Sequence, residues 1–171
     1  MQTLRVRHIG PNPQDGEAEI NGKRYRCALG KAGILVDKKE GDGGTPSGTY
    51  PLREVFFRDD RLPPPQTGLP IRALAANDGW ADDSALPEYN THVTLPYQGS
   101  HESLWREDHV YNVIVVVGYN DAPPVAGKGS AIFIHLAREG YTPTAGCVAF
   151  ALPDMIEILG QLQQGDTIEI A

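Results

Sequence analysis

Cys147 stands in Thr144-Ala145-Gly146-Cys147-Val148, twelve residues after His135, which itself ends the apolar run Ala131-Ile132-Phe133-Ile134. A cysteine attacks a carbonyl carbon as the thiolate, and an imidazole close by is the base that generates it. The pair is therefore a candidate nucleophile and general base. Gly146, directly before the cysteine, allows a tight turn from which the backbone N–H groups around Gly146 and Cys147 can point at a developing oxyanion. The plainer alternative makes Cys147 a small buried apolar residue and His135 a hydrogen-bonded residue at a strand end, and spacing by itself does not choose between the two.

Other reactive residue types read differently. Cys27 lies within strand alternation and is expected in the core, where a thiol is inert. His92, His101 and His109 fall in an irregular stretch and are expected at the surface, although one of them could line a binding groove. Asp82-Asp83 offers too few oxygens for a hard cation and reads as a solvated turn. Five histidines and two cysteines show no zinc-ligand spacing, so no metal and no other cofactor is expected.

The elements that must position Cys147 and His135 are mostly strands. Leu4, Val6 and His8 alternate with Arg5 and Arg7, and Tyr25, Cys27 and Leu29 alternate with Arg24, Arg26 and Ala28. This is the period-2 pattern of half-buried strands, with Asn21-Gly22 as a hairpin turn between them. Ile34-Leu35-Val36 precedes a Gly-dense loop, Lys38 to Gly48. From Arg58 to Glu107 periodicity is lost over a length far beyond an ordinary connection, yet Trp80, Tyr89, Tyr97 and Trp105 supply aromatic anchors, which predicts an ordered functional loop. Val113-Ile114-Val115-Val116-Val117 predicts a strand covered on both faces at the centre of the sheet. Pro153 to Gln163 predicts a short helix burying Met155, Ile156, Leu159 and Leu162 and ended by Gly165, before a last strand over Thr167–Ile170.

Composition bounds the function classes. The chain has 171 residues, enough for one domain with its own core, and a net charge of −7 from 15 Lys+Arg against 22 Asp+Glu. The broad positive field that nucleic acid or an anionic membrane would require is missing. No apolar run approaches the ~18 residues of a spanning helix, and the polar start Met1 to His8 carries no apolar signal segment. Gly and Pro number 19 and 14, an excess that predicts many turns and a mostly β fold.

Read together, Lys39-Glu40-Gly41-Asp42-Gly43-Gly44-Thr45-Pro46-Ser47-Gly48-Thr49-Tyr50 and, about ninety residues later, His135…Thr144-Ala145-Gly146-Cys147-Val148 resemble the YkuD-type L,D-transpeptidase catalytic domain, over roughly residues 30–160. The resemblance implies a mostly β, sandwich-like fold with one short helix and a long irregular insertion. It also implies a peptidoglycan enzyme of the bacterial envelope, periplasmic or wall-facing, acting on stem peptides and inactivated by carbapenems at the cysteine. By that carry-over Cys147 is the nucleophile, His135 the base and the backbone at Gly146 and Cys147 the oxyanion hole. Thr144 is a substrate or loop contact, or equally a turn hydrogen bond. The chain departs from the usual pattern at Ala149, where many members carry arginine, at Leu136, often glycine, and at Ala145, often histidine. Arg138 is the nearest basic residue to stand in for the missing arginine, with Arg72 and Arg106 as alternatives. A monomer without nucleic-acid or membrane partners is expected. The competing readings are a carboxypeptidase or amidase in which water takes the acyl group, a non-catalytic wall-binding β-domain, and an unrelated intracellular cysteine peptidase.

Overall fold

The computed structural model describes residues 1–171. Alternation in the first thirty residues produces three antiparallel neighbours, β1 (Thr3–His8), β2 (Asp15–Ile20) and β3 (Lys23–Ala28). The turn at Asn21-Gly22 has φ of 50° and 77°, the paired positive values a two-residue hairpin needs, but it joins β3 to β2 rather than to β1. Two short strands, β4 (Ile34–Leu35) and β5 (Thr45–Pro46), pair across the Gly-dense loop, and β6 (Gly48–Phe57) follows. The long insertion contains β7 (Ile71–Ala73), β8 (Asp78–Ala81), β9 (His92–Thr94) and β10 (His101–Ser103), the last three forming a small sheet of their own. The chain then runs through β11 (Val113–Val117), β12 (Phe133–Leu136), β13 (Val148–Phe150), the helix α1 (Leu152–Leu159) and β14 (Thr167–Ile170).

The fold is mostly β with one α-helix, as expected, but the main sheet closes on itself instead of dividing into a sandwich. Its order is β11-β12-β13-β3-β2-β1-β14-β6, and β6 pairs back onto β11. Closure depends on the length of β6, whose first half pairs with β14 and whose second half pairs with β7, while β11 lies along its other side. Closing the ring removes the free edges that an open sheet would expose.

Period-2 alternation sorts the side chains of this ring into two cores. One face buries Leu4, Val6, Tyr25, Cys27, Val113, Val115, Val117, Ile134, Val148 and Ile168 together with Met155, Ile158 and Leu159 of α1. The opposite face of β6, β11 and β12 buries Phe56, Ile114, Val116 and Phe133 beneath Leu74, Trp80 and Leu104 of the insertion. All five residues of β11 are buried, as an uninterrupted β-branched run requires. Each such side chain contributes about 1.5–3 kcal/mol by leaving water.

The helix is shorter than the pattern suggests. It ends at Leu159 with Gly160 as its C-cap, so Gly165 belongs to the turn before β14. Its buried stripe runs Met155, Ile158, Leu159 and on to Leu162, the i, i+3, i+4, i+7 spacing, while Ile156 lies 37% exposed because it is rotated about 100° off that stripe.

Candidate active site

His135 lies on β12 between Ile134 and Leu136, both of which belong to the ring's interior core, so alternation turns the imidazole to the outer face. Cys147 sits just before β13, the parallel neighbour of β12, and joins the outer core with Phe133, Trp80 and Tyr111. Both residues line one cavity of about 320 Å³, walled by the Gly-dense loop at Lys38, Glu40 and Gly41, by the insertion at Asp82, Glu102 and Arg106, and by Tyr111 and Arg138.

The turn carrying Cys147 is braced by one hydroxyl. Thr144 Oγ1 donates to the Cys147 carbonyl at 2.7 Å and accepts the Gly146 N–H at 3.0 Å, the turn hydrogen bonds among the two roles expected for it, and Thr144 also lines the cavity. Gly146 has φ of 140°, and a β-carbon there would lie 2.6 Å from the Gly44 carbonyl oxygen, so only glycine fits. The same contact explains why two motifs ninety residues apart belong together: Gly44 of the first packs on Gly146 of the second. Backbone bonds secure the junction, from the Lys31 N–H to the Thr144 carbonyl and from the Thr144 N–H to the Leu29 carbonyl, each at 3.0 Å. With its N–H committed to Thr144, Gly146 is not a free donor, which corrects the expected two-residue oxyanion hole. The Cys147 N–H makes no hydrogen bond within the protein.

The thiol is held at both ends. Sγ donates to the Ala131 carbonyl at 3.3 Å and accepts the Phe133 N–H at 3.4 Å. Ala131 has φ of 54°, unusual for a residue with a β-carbon, and its N–H is tied at 3.0 Å to Asn90 Oδ1, which also receives the Trp80 indole N–H at 2.9 Å. The insertion thereby fixes the carbonyl that orients the Cys147 thiol. His135 Nδ1 lies 2.9 Å from the Leu136 carbonyl oxygen. A carbonyl only accepts, so Nδ1 carries the proton and Nε2 is left with its lone pair.

Burial keeps both groups uncharged. It pushes the Cys147 thiol up to about 12 against a lowering contribution from the Phe133 N–H, and it pulls the His135 imidazole down to about 4, helped by the positive charges of Arg138 and Arg106. The resting pair is therefore thiol and imidazole, not thiolate and imidazolium. No hydrogen bond joins them directly.

A comparison with known families decides the lineage: residues 14–170 match the YkuD L,D-transpeptidase catalytic domain. The chain belongs to that family. No curated protein and no solved structure matches it.

Within this L,D-transpeptidase domain, the sequence-derived candidates do not all converge on the cavity. Cys147, His135, Thr144 and Arg138 line it, and Arg138 is exposed with no ion-pair partner. Arg106 lines it too, but is held by Asp108 at 2.7 Å. Arg72 is elsewhere, bonded to Asp78 at 2.9 Å and stacked 4.4 Å over the Phe56 ring. None of His92, His101 and His109 reaches the cavity: His92 bonds Asp78, and His109 bonds the Ala137 carbonyl. Ala149 pairs in register with His135 and Ala28 and is 1% exposed, so a cation there would be buried.

Four residues that sequence reasoning passed over complete the site. Lys38 is buried beside the cavity with Nζ on Asp42 at 2.8 Å, and Tyr111 lies edge-on to the His135 ring at 5.5 Å. Glu102 accepts the Tyr111 hydroxyl at 2.6 Å, and Asn90 ties the insertion to Ala131. Lys38 adjoins the Gly-dense motif, a signal present in the sequence; Glu102 and Asn90 sit in a stretch without periodicity and carry no local signal.

Proposed function

We propose that this domain is a peptidoglycan L,D-transpeptidase that forms a thioester at Cys147 with a stem peptide and passes the acyl group to an amine of a neighbouring stem. The observation that carries the reading is the commitment of His135 Nδ1 to the Leu136 carbonyl, which leaves Nε2 as a base in the same cavity as the Cys147 thiol. As Sγ attacks the carbonyl at an L,D bond, the thiol proton passes to Nε2 and then to the departing amine. The Cys147 N–H stabilises the oxyanion. Because burial opposes thiolate formation, proton removal accompanies attack instead of preceding it.

Arg138, exposed at the cavity and unpaired, takes the place of the family arginine by holding a carbonyl or carboxylate of the stem. The altered surroundings of Ala149 leave both a link from the third stem residue and a link from the first within this reading. The substrate places the protein in the periplasm or facing the wall, and cell fractionation tests that placement. No helix of the chain is long and apolar enough to cross a membrane.

Incubation with disaccharide-tetrapeptide and mass spectrometry of the products is the direct test. A cross-linked dimer, a transient thioester on Cys147 and one stable carbapenem adduct at the same residue are expected. Hydrolysed donor without dimer would assign a carboxypeptidase, and the absence of any adduct at Cys147 would overturn the covalent reading.

A further inference from the structure

Glu102 is a half-buried carboxylate with no ion-pair partner in the protein. Its only side-chain hydrogen bond is from the Tyr111 hydroxyl to Oε1 at 2.6 Å, which leaves Oε2 unpartnered. No lysine, arginine or histidine forms an ion pair with it; Arg106, the cation of the same wall, is held by Asp108. Since no fully occluded side-chain oxygen in the protein lacks a partner, Oε2 keeps accessible surface, and Glu102 opens onto the cavity that holds Cys147. Burial raises its pKa, the Tyr111 hydroxyl and the charge of Arg106 oppose that rise, and the neighbouring Asp82 and Glu40 add to it. Tyr111 keeps the carboxylate in place while its ring packs against the imidazole of His135.

A half-buried carboxylate without an ion-pair partner lacks a cation, and transpeptidation brings one: the acceptor amine arrives as an ammonium. We propose that Glu102 binds the ammonium of the acceptor stem and takes its first proton, making the insertion the acceptor half of the active site. This rests on the transpeptidase reading above.

The step balances. The ammonium gives one proton to Glu102, and the neutral amine attacks the thioester carbonyl. A C–N bond forms and the C–S bond breaks. The second amine proton passes through His135 Nε2 to the departing sulfur of Cys147, and Glu102 releases its proton to water. A carboxyl whose pKa burial raises holds the proton more firmly than an exposed one, which suits this exchange.

The experiment compares the parent with Glu102→Gln, which keeps the shape and the Tyr111 contact but not the charge. Thioester on Cys147 is followed by intact mass, with stem-peptide dimer as the readout of transfer. Methoxyamine, which is uncharged at neutral pH, serves as a second acceptor. Dimer formed per thioester should fall 10–100-fold in Glu102→Gln, whereas transfer to methoxyamine per thioester should stay within about threefold of the parent. An equal loss with both acceptors, or no loss with either, would overturn the role. If Glu102→Gln does not accumulate as folded protein, the same two ratios are read in Glu102→Asp, where a displaced carboxylate should again penalise the ammonium acceptor selectively. A parent that forms no thioester with stem peptide would refute the transpeptidase reading itself, a result distinct from either outcome for Glu102.

Discussion

The two cysteines set the inside of the closed sheet against its outside. Cys27 faces the interior core, 1% exposed, and Cys147 faces the outer core, 6% exposed; burial pushes both thiols up to about 12. Neither solvent exposure nor titration therefore tells the two cysteines apart. The difference lies in what surrounds each sulfur. Cys27 packs against Gly16, where a β-carbon would come within 2.8 Å of its sulfur, and no cavity reaches it. Cys147 has a donor, an acceptor, a glycine turn and a cavity shared with an imidazole. Reactivity is a property of the wall around the sulfur.

Exchanging the sulfur atoms tests this contrast most severely. Cys147→Ser should lower acylation by stem peptide on the order of 10³-fold or more, because an unactivated hydroxyl is far weaker than a thiol drawn by a base, and circular dichroism should show the fold intact. Cys27→Ala should keep acylation within about twofold of the parent and cost about 1 kcal/mol or slightly more in urea melts, as expected for removing a small buried group. Comparable loss from both would erase the distinction between the two regions.

Removing the base comes next. His135→Ala should slow acylation by roughly 10²–10⁴-fold. In the parent, the rate should decline only as pH falls towards about 4, where Nε2 becomes protonated, rather than near the ordinary 6.5 of histidine. An acid limb near 6.5 would mean that the imidazole is hydrated in the working enzyme and that burial does not set its protonation. Arg138→Ala should reduce kcat/KM on the order of 10–100-fold with no change in melting, the scale of a lost charge-assisted hydrogen bond. Unchanged kinetics would shift donor recognition to Lys38 and Arg106.

The smallest effect makes the two cysteines alike again. A thiol whose pKa is raised on folding stays protonated in the native state while the unfolded chain ionises above 9.0, so stability falls as pH rises from 9.0 towards about 12. Each cysteine should account for up to about 1.4 kcal/mol per pH unit of that loss. Cys27→Ala and Cys147→Ala should therefore flatten the alkaline stability profile to a similar degree, measured as urea midpoints at pH 8 and pH 10. A flattening confined to one variant would show that the two environments differ in dielectric after all.

Much of the ring was legible in the sequence because its strands obey a two-residue period: β1, β3, β11, β12 and β14 all follow from their apolar residues. β2 was missed because its inward positions are Gly16, Ala18 and Ile20, two of them too small to register as a hydrophobic stripe; the space is already filled by Cys27 and Leu29. Closure was illegible because it depends on β6 reaching β11 by register, a long-range pairing with no local signature. In the site, Gly146 and Cys147 announced themselves through a motif. Glu102 and Tyr111 come from segments whose meeting is decided only by the way the insertion packs on Phe133 and Ile114.

β14 occupies the single gap between β1 and β6 with four residues. Within the ring it is one spoke among eight, yet its removal would leave two facing rows of backbone donors and acceptors with nothing between them, in a ring that is otherwise closed. A molecule clipped after Gly165 would not merely fray. It would present a strand-shaped vacancy between β1 and β6 that an extended segment of another chain could fill, so the loss of its last few residues would turn a self-contained surface into an adhesive one.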